Sequence, residues 1–492
     1  MYCNQRTSAF GLSRRDMLSR MGMGFGSLAL ADLMQQGQAQ ASSTATAAPG
    51  AGGIGALPGM PHFAPKAKRV IFLFMSGGPS QLDSFDYKPE LMKRQGENLP
   101  DSYLKGKRPP GMAGSQTAFP LVPSAFQYKQ HGQSGAWITE LFPETAKVAD
   151  DLCFIKSMTS EAVNHDPALT FMQTGAPLPG RPSIGSWLQY GLGTDNKDLP
   201  GFIVLISRRP VDQPLSYRLW DAGFLPTQFQ GVQFRAGKDA VLYLSEPEGI
   251  ARGATRKMLD TLKAMHERQF VSRPDAEITA RIEQYEMAFR MQASVPDATD
   301  ISKEPESIFE MYGPDAKTPG SFAANCILAR RLAEKDVKFI QLYHPGWDHH
   351  GGLPMNYPVS TKEIDQPCAA LIKDLKQRDM LKDTLVVWGG EFGRTSYSQG
   401  SFSTKSKSYG RDHHRECFTF WMAGGGIKGG ITYGETDDLG YEVARDPVTV
   451  HDFHATMLHL LGIDHERFTY RFQGRDFRLT DVAGNVVKGI LA

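Results

Sequence analysis

The phrase YHPGWDHHGG (residues 343–352) follows one apolar run, and WGGEFGRT (residues 388–395) begins at the end of a second. A charged pattern with helical periodicity separates the two runs, so this stretch predicts strand, polar loop, helix, strand and polar loop. A third phrase, GRDHH (residues 410–414), adds further polar residues. In open parallel α/β sheets, ligands bind at the carboxyl ends of the strands, where these phrases fall. We therefore predict an α/β fold, with a doubly wound, mostly parallel sheet flanked by helices.

Length and charge narrow the class of protein. The chain has 492 residues and a formal net charge of +1. That length suits one large α/β domain with insertions, or two domains. The balanced charge gives no indication of a nucleic-acid partner, and we predict none.

The cysteines beyond Cys3 predict free thiols. They are Cys153, Cys326, Cys368 and Cys417. They are widely spaced, lack a CxxC pattern and lie in apolar or helical contexts, which favours buried free thiols over a disulfide.

The N-terminal region is typical of a targeting segment followed by a linker. Paired arginines at positions 14–15 precede a weakly apolar stretch, residues 21–33, and an A-x-A pattern. We predict a twin-arginine signal peptide at residues 1–41, recognised by the twin-arginine export machinery, and a flexible linker at residues 42–65. The apolar stretch is too short for a permanent membrane anchor. The protein is therefore predicted to be exported folded to the periplasm or the medium; the alternative is an ordinary basic N-terminus.

The body of the chain, residues 66–492, is predicted to be one domain with insertions near residues 87–143 and 207–320. Apolar runs and periodic patterns predict strands at 69–75, 152–158, 202–206 and 418–423, helices at 250–291, 321–336, 363–379 and 450–462, and a loop at 294–320. The turn SGGPS after the first strand lacks the glycine spacing of a dinucleotide or Walker loop, so nucleotide binding is not indicated.

His165 lies at the start of a short predicted helix. Asp166 and Pro167 suit the N-cap and first helical positions, and Gly175 suits the helix end. Backbone N–H groups at a helix start favour an anion, which suggests a functional histidine. A capping or surface histidine is the alternative.

The three phrases bring together residue types that bind metal. In an extended loop, Asp348 and His350 point the same way and His349 points oppositely. Glu391 adds a carboxylate just beyond a buried strand, and the third phrase adds Asp412 with two histidines. Carboxylate with imidazole suits Zn, Mn or Fe, whereas Ca and Mg prefer oxygen ligands. We predict a divalent metal, Zn or Mn rather than Ca or Mg; a metal-free polar network is the alternative.

Arg394 is predicted to hold an anionic substrate, because its planar guanidinium suits phosphate or sulfate oxygens. Metal-free hydrolysis with His165 as base is not favoured, since the chain has no G-x-S-x-G nucleophile turn.

Taken together, these motifs resemble domain-of-unknown-function family 1501 of the alkaline-phosphatase-like superfamily. The resemblance covers nearly the whole chain after the signal segment, and it includes a C-terminal helix similar to the closing helix of the sulfatases. It rests on FMSGGPS (74–80), WDHH (347–350), GEFGRT (390–395), GRDH (410–413) and the segment from 450 to 484.

The resemblance implies an alkaline-phosphatase-like fold and metal-assisted cleavage of phosphate or sulfate esters. By position, it implies Asp348, His350, Glu391 and His413 as metal ligands. The superfamily has an acidic ligand after the first strand, where this chain has Ser76-Gly77-Gly78, so Asp83 or Asp86 would replace it.

The sulfatase nucleophile position is occupied by His165, which would act as nucleophile, base or additional ligand. A histidine does not form the formylglycine of sulfatases. Within the matched phrases, Ser76 and Arg411 are predicted to bind substrate.

The predicted function is an exported metal-dependent hydrolase of phosphate or sulfate esters, acting on a small-molecule or polysaccharide substrate. The alternative is a hydrolase fold without catalytic activity that binds a glycan or a protein partner. A redox partner has no support from a haem motif, because C-x-x-C-H is absent.

Overall fold

The apolar run Arg69–Met75 forms strand β1, in which every residue is buried. A strand with this composition needs apolar cover on both faces, as in parallel α/β sheets.

The computed structural model describes residues 53–492 except 107–108, 110, 209–213, 237–239, 242–245, 247–250, 273–275 and 401–407.

The remaining strands are β2 (Tyr128–His131), β3 (Ala136–Thr139), β4 (Cys153–Thr159), β5 (Phe202–Ile206), β6 (Val232–Phe234), β7 (Phe339–His344), β8 (Thr384–Gly389), β9 (Gly393–Gln399), β10 (Gly410–His414), β11 (Phe418–Ala423), β12 (Ile431–Tyr433), β13 (Glu435–Thr436), β14 (Val443–Arg445), β15 (Val448–Thr449), β16 (Tyr470–Phe472) and β17 (Arg475–Phe477). The helices are α1 (Pro89–Lys93), α2 (Asp101–Leu104), α3 (His165–Thr174), α4 (Ile184–Leu192), α5 (Arg252–Ser272), α6 (Ala276–Thr299), α7 (Glu306–Tyr312), α8 (Phe322–Glu334), α9 (Leu353–Gln377) and α10 (Val450–Leu460).

The central sheet is mostly parallel. Its strand order is β12-β4-β11-β8-β1-β7-β5-β6, and β15 also pairs with β4. Only β11 among these strands runs antiparallel to its neighbours, β4 and β8. The predicted class, a mostly parallel α/β sheet flanked by helices, is confirmed.

Two apolar cores cover the two faces of this sheet. Alternate residues of β1 enter different cores, because successive side chains of a strand point to opposite faces. Ile71 and Leu73 pack with residues of α8 and α9, whereas Phe72 and Phe74 pack with residues of α3, α4 and α10.

The register of the central strands brings three loops to one edge. In β1, Met75 lies opposite His344 of β7, and Phe74 lies opposite Gly389 of β8. The loops that begin at residues 76, 345 and 390 therefore leave the sheet side by side. The predicted placement of the first two phrases at strand ends is confirmed.

The third phrase differs from its predicted place. Residues Gly410–His414 form β10 of a two-stranded antiparallel hairpin with β9, separate from the central sheet. This segment is buried but consists of polar and charged residues, so it lacks the apolar run that identifies the central strands.

Three helical features also differ from the prediction. Helix α9 begins at Leu353, ten residues before the predicted start, since Pro354 occupies the first helical turn, where a missing N–H is harmless. The predicted loop at 294–320 contains the end of α6 and all of α7. The N-cap of α3 is Asn164, and Asp166 lies inside the first turn.

The predicted signal peptide and the first half of the predicted linker lie outside the described residues. Residues 53–65 are attached to the domain: Ile54 N–H donates to Thr194 O (2.7 Å), and Phe63 N–H donates to Gly462 O (3.2 Å). This part of the predicted linker is therefore held against the domain surface. Among the described helices, none is long and apolar enough to cross a membrane.

The four cysteines within the described residues are buried and free, as predicted. Burial raises the pKa of Cys153 to about 12. These thiols therefore stay protonated and pack as small apolar side chains.

Candidate metal centre

Four side chains converge at the edge of the sheet: His165, Asp348, His350 and His413. One potential ligand atom from each lies within 4.8 Å of every other. Three imidazoles and one carboxylate meet here from parts of the chain that are far apart in sequence.

Different elements supply the four residues. Asp348 and His350 lie in the loop after β7, His165 is the first residue of α3, and His413 lies on β10. The β9–β10 pairing shifts register between Arg411 and His413. Such an irregularity redirects a side chain, here that of His413.

Gly77 allows the loop after β1 to pass close to Asp348. Its φ is +118°, and a Cβ there would lie 2.7 Å from the backbone nitrogen of Asp348. The glycine is therefore required by both backbone conformation and space.

The Nδ1 atom of each histidine is held by an oxygen. His165 Nδ1 lies 2.6 Å from Glu391 Oε1, His413 Nδ1 donates to Val163 O (2.9 Å), and His350 Nδ1 contacts Gln399 Oε1. These contacts place a proton on each Nδ1 and turn each Nε2 towards the other members of the cluster. Hydrogen bonds of this kind orient metal-binding histidines in proteins.

Asp348 lies between the three Nε2 atoms. Its Oδ1 is 2.9 Å from His350 Nε2 and 3.2 Å from His413 Nε2, and its Oδ2 is 3.1 Å from His165 Nε2. Burial alone would raise the pKa of Asp348, but its contacts with the three histidines and the charge of Arg394 hold that pKa far below its usual range. Asp348 is therefore a carboxylate at any physiological pH.

The histidines differ in protonation. Burial lowers the pKa of His165, but hydrogen bonds to Asp348 and Glu391 outweigh burial and raise this pKa to about 9. Burial, with the nearby charge of Arg394, lowers the pKa of His413 to about 4 despite its bond to Asp348. His413 is therefore neutral near pH 7, which is the form that binds a metal, whereas His165 is charged there and would release its Nε2 proton on binding one.

The donor set fits a single divalent transition metal. His350 Nε2 and His413 Nε2 face each other at 2.9 Å, and the buried His165 Nε2 lies 3.1 Å from Asp348 Oδ2. Nitrogen atoms that converge in this way are satisfied by a shared cation. Three imidazoles with one carboxylate match the ligand types of Zn and its neighbours.

The structure leaves two predicted ligands outside this cluster. Glu391 accepts from Gly77 N–H (2.9 Å) and contacts His165 Nδ1 (2.6 Å), so its carboxylate is directed at these two partners. Asp83 accepts from Arg411 Nε (2.8 Å) and Ser80 Oγ (2.6 Å). The sequence placed both carboxylates after the correct strands, but their directions depend on loop packing.

The predicted substrate-binding residues are also placed differently. Arg394 is fully buried; it donates to Gly78 O (2.8 Å), Arg411 O (3.1 Å) and Asp348 Oδ1 (2.6 Å). Arg411 is buried as well, bonded to Asp83 and Thr395 O. Ser76 is buried beneath the loop. Backbone and carboxylate oxygens occupy donors of the two arginines, whereas Ser76 Oγ has no hydrogen-bond partner within the described residues.

Sequence patterns did not identify Gln399 or Val163 as partners of the histidines. Gln399 is 49 residues from His350, at the end of β9. The Val163 contact uses a backbone carbonyl, which leaves no trace in residue type. A metal-binding histidine usually donates its Nδ1–H to a nearby acceptor, so a search for such acceptors could have found these partners.

Replacing Glu391 tests its supporting position. We expect Glu391→Gln to retain metal binding but to weaken metal affinity by about 10–100-fold, as loss of such a partner typically does. Competition titration against a chelator measures this change, with the exposed Glu466→Gln as the matched control. Complete loss of metal would instead identify Glu391 as a direct ligand.

Solved structures of three proteins are similar to this chain. A sulfatase from Pseudoalteromonas sp. is 14% identical, with 81% of this chain and 68% of that chain covered and a TM-score of 0.30. A protein in the alkaline phosphatase superfamily from Vibrio parahaemolyticus is 10% identical, with 82% and 68% covered and a TM-score of 0.31. A phosphonate monoester hydrolase from Silicibacter pomeroyi is 11% identical, with 80% and 73% covered and a TM-score of 0.29.

No curated protein matches the chain. A family model does: the one described as "Protein of unknown function (DUF1501)" matches residues 67–491. That match spans nearly all of the described domain and includes every residue of the four-residue cluster. The chain therefore belongs to the DUF1501 family.

Proposed function

We propose that this protein is a metal-dependent hydrolase of phosphate or sulfate esters, exported by the twin-arginine route. The observation that carries the proposal is the convergence of three Nε2 atoms and the Asp348 carboxylate at one point. The Nδ1 contacts orient these ligands before any ion binds, so little ordering is needed on binding.

The donor set favours Zn or Mn over Ca or Mg, because imidazole nitrogen suits transition metals and the other two prefer oxygen. Asp348, His165, His350 and His413 would hold the ion. When bound, it would polarise an ester oxygen and lower the pKa of a bound water.

Neighbouring residues position the members of the four-residue cluster. Asp348 supplies the permanent negative charge, and Arg394 fixes its position through the 2.6 Å contact. Glu391 holds the ring of His165, and the ring of Phe392 packs against it with centroids 5.0 Å apart. Among the three predicted roles of His165, we therefore favour that of ligand.

The decisive experiment joins metal analysis to an ester screen. We expect about one equivalent of metal per chain in purified protein, because the cluster offers one set of four donors. We also expect turnover of p-nitrophenyl phosphate or p-nitrophenyl sulfate that a chelator abolishes and metal restores. The matched control is His459→Ala, a half-buried histidine of α10 outside the cluster, which should keep both properties.

A metal-loaded protein without turnover on either ester would favour the alternative, a binding protein with a hydrolase fold. One observation supports that alternative. Both ring nitrogens of His165 face carboxylates, so the residue at the sulfatase nucleophile position is engaged on both sides.

Export has its own test. Replacing both paired arginines with lysine (Arg14→Lys with Arg15→Lys) should retain the precursor in the cytoplasm, because twin-arginine export depends on that pair. Cell fractionation followed by immunoblotting measures the distribution, and Arg6→Lys is the control. Normal export of the double variant would contradict a twin-arginine signal.

A further inference from the structure

The two arginines that the sequence predicted to bind an anionic substrate do not present free guanidinium donors at the four-residue cluster. Arg394 and Arg411 are fully buried, and their donors are directed at backbone carbonyls, Asp348 and Asp83. A phosphate or sulfate ester carries negative charge on its non-bridging oxygens, and a planar guanidinium is the side chain best suited to pair with them.

Arg218 lies beside the helix that begins at His165. It belongs to the short helical turn Tyr217–Leu219, which packs against α3. Its Nη2 is in ion-pair contact with Oδ1 of Asp166, the residue that directly follows His165. The guanidinium is therefore held within the first turn of the helix that begins at the proposed metal ligand.

The side chain of Arg218 is partly exposed and retains a donor that is unpaired in the described part of the chain. Its side chain is 25% exposed, and that of its partner Asp166 is 53% exposed. Arg218 Nε is buried with no hydrogen-bond acceptor within the described residues. Because a guanidinium has five N–H donors, one carboxylate contact leaves others for a ligand.

We propose that Arg218 binds the anionic oxygens of the substrate's phosphate or sulfate group, and that Asp166 is its positioning residue. This inference rests on the proposed function and adds the residue that recognises the negative charge of the ester. Arg218 lies on a segment remote in sequence from the three conspicuous phrases. The ion pair with Asp166 connects it to His165.

The test uses inorganic phosphate and sulfate as probes of the metal-loaded full chain, with calorimetry as the readout. Arg218→Ala should weaken binding of the better anion by roughly 10-fold to 100-fold, as expected for loss of hydrogen bonds to a charged group. Arg218→Lys should recover part of that loss, since it keeps the charge but not the fork. Metal content should stay at the wild-type value in both variants.

The matched control is Arg181→Ala. Arg181 is 22% exposed and pairs with Asp481 at 3.0 Å, so it resembles Arg218 in exposure and in having a carboxylate partner.

In turnover assays, Arg218→Ala should raise KM more than it lowers kcat.

Failure of this inference is distinguishable from failure of the proposed function. Equal anion affinity in Arg218→Ala and Arg181→Ala, or no binding of either anion by the wild-type protein, would overturn the assignment of Arg218 even with metal bound. Absence of metal and of turnover in the wild-type protein would count against the proposed function itself.

Discussion

Asp348→Asn is expected to remove bound metal almost completely. Asp348 is the one carboxylate among the four converging residues, and it lies within 3.2 Å of all three Nε2 atoms. Asparagine keeps the shape but loses the negative charge that balances a divalent ion. Loss of a residue that hydrogen-bonds to a metal ligand typically lowers metal affinity by about 10–100-fold, so loss of the Asp348 carboxylate itself should lower it further.

Elemental analysis of the purified variant measures this prediction, and ester hydrolysis should fall with the metal. Thermal unfolding with and without added metal provides the second readout, since an ion that binds the folded state raises its stability. The wild-type melting temperature should rise on metal addition, and that of Asp348→Asn should not. A variant with full metal content and wild-type activity would show that the four residues form a metal-free polar network.

The second large effect is expected at Arg394. Its guanidinium bonds the loop after β1, the backbone of β10 and the Asp348 side chain, so it joins three parts of the site. In Arg394→Met the side-chain volume is largely kept, but buried carbonyls and a partly buried carboxylate lose their partners. We expect a loss of about 3–5 kcal/mol in the free energy of unfolding, the range for breaking a buried pair from one side.

Urea unfolding measures this loss. Arg471→Met serves as the control, because Arg471 is exposed and pairs with the exposed Asp476; its effect should stay within about 0.5 kcal/mol. If Arg394→Met instead kept wild-type stability and only raised KM for an anionic ester, the original prediction of a substrate-binding arginine would be correct.

These two variants distinguish a residue that acts at the centre from one that positions it, a distinction that the sequence patterns did not make. Arg394 and Asp348 both follow predicted strands and both carry charge, so either is a reasonable site residue from sequence alone. Burial distinguishes them: the Asp348 side chain is 20% exposed, while the Arg394 side chain is 1% exposed. We therefore expect Asp348 to act at the centre and Arg394 to act through it.

Several central strands and the sheet edge that carries the candidate site could be predicted from the chain. Continuous apolar runs such as Arg69–Met75 identify strands buried on both faces, since only such strands need apolar side chains in both directions. Their ends identify the ligand-binding edge of a parallel sheet. Asp348, His350 and His413 were found in this way and lie together in the structure.

The sequence by itself determined the α/β class, the edge that carries the site and most of its metal-binding residue types, because these follow from local periodicity and chemistry. Only the tertiary structure decided which carboxylate faces the centre and which arginines remain accessible. Glu391 turns to His165, Asp83 turns to Arg411, and Arg218 comes to Asp166 through contacts between residues 52 to 328 positions apart. Such directions are set by the packing of loops from separate strands, which no pattern within a single segment encodes.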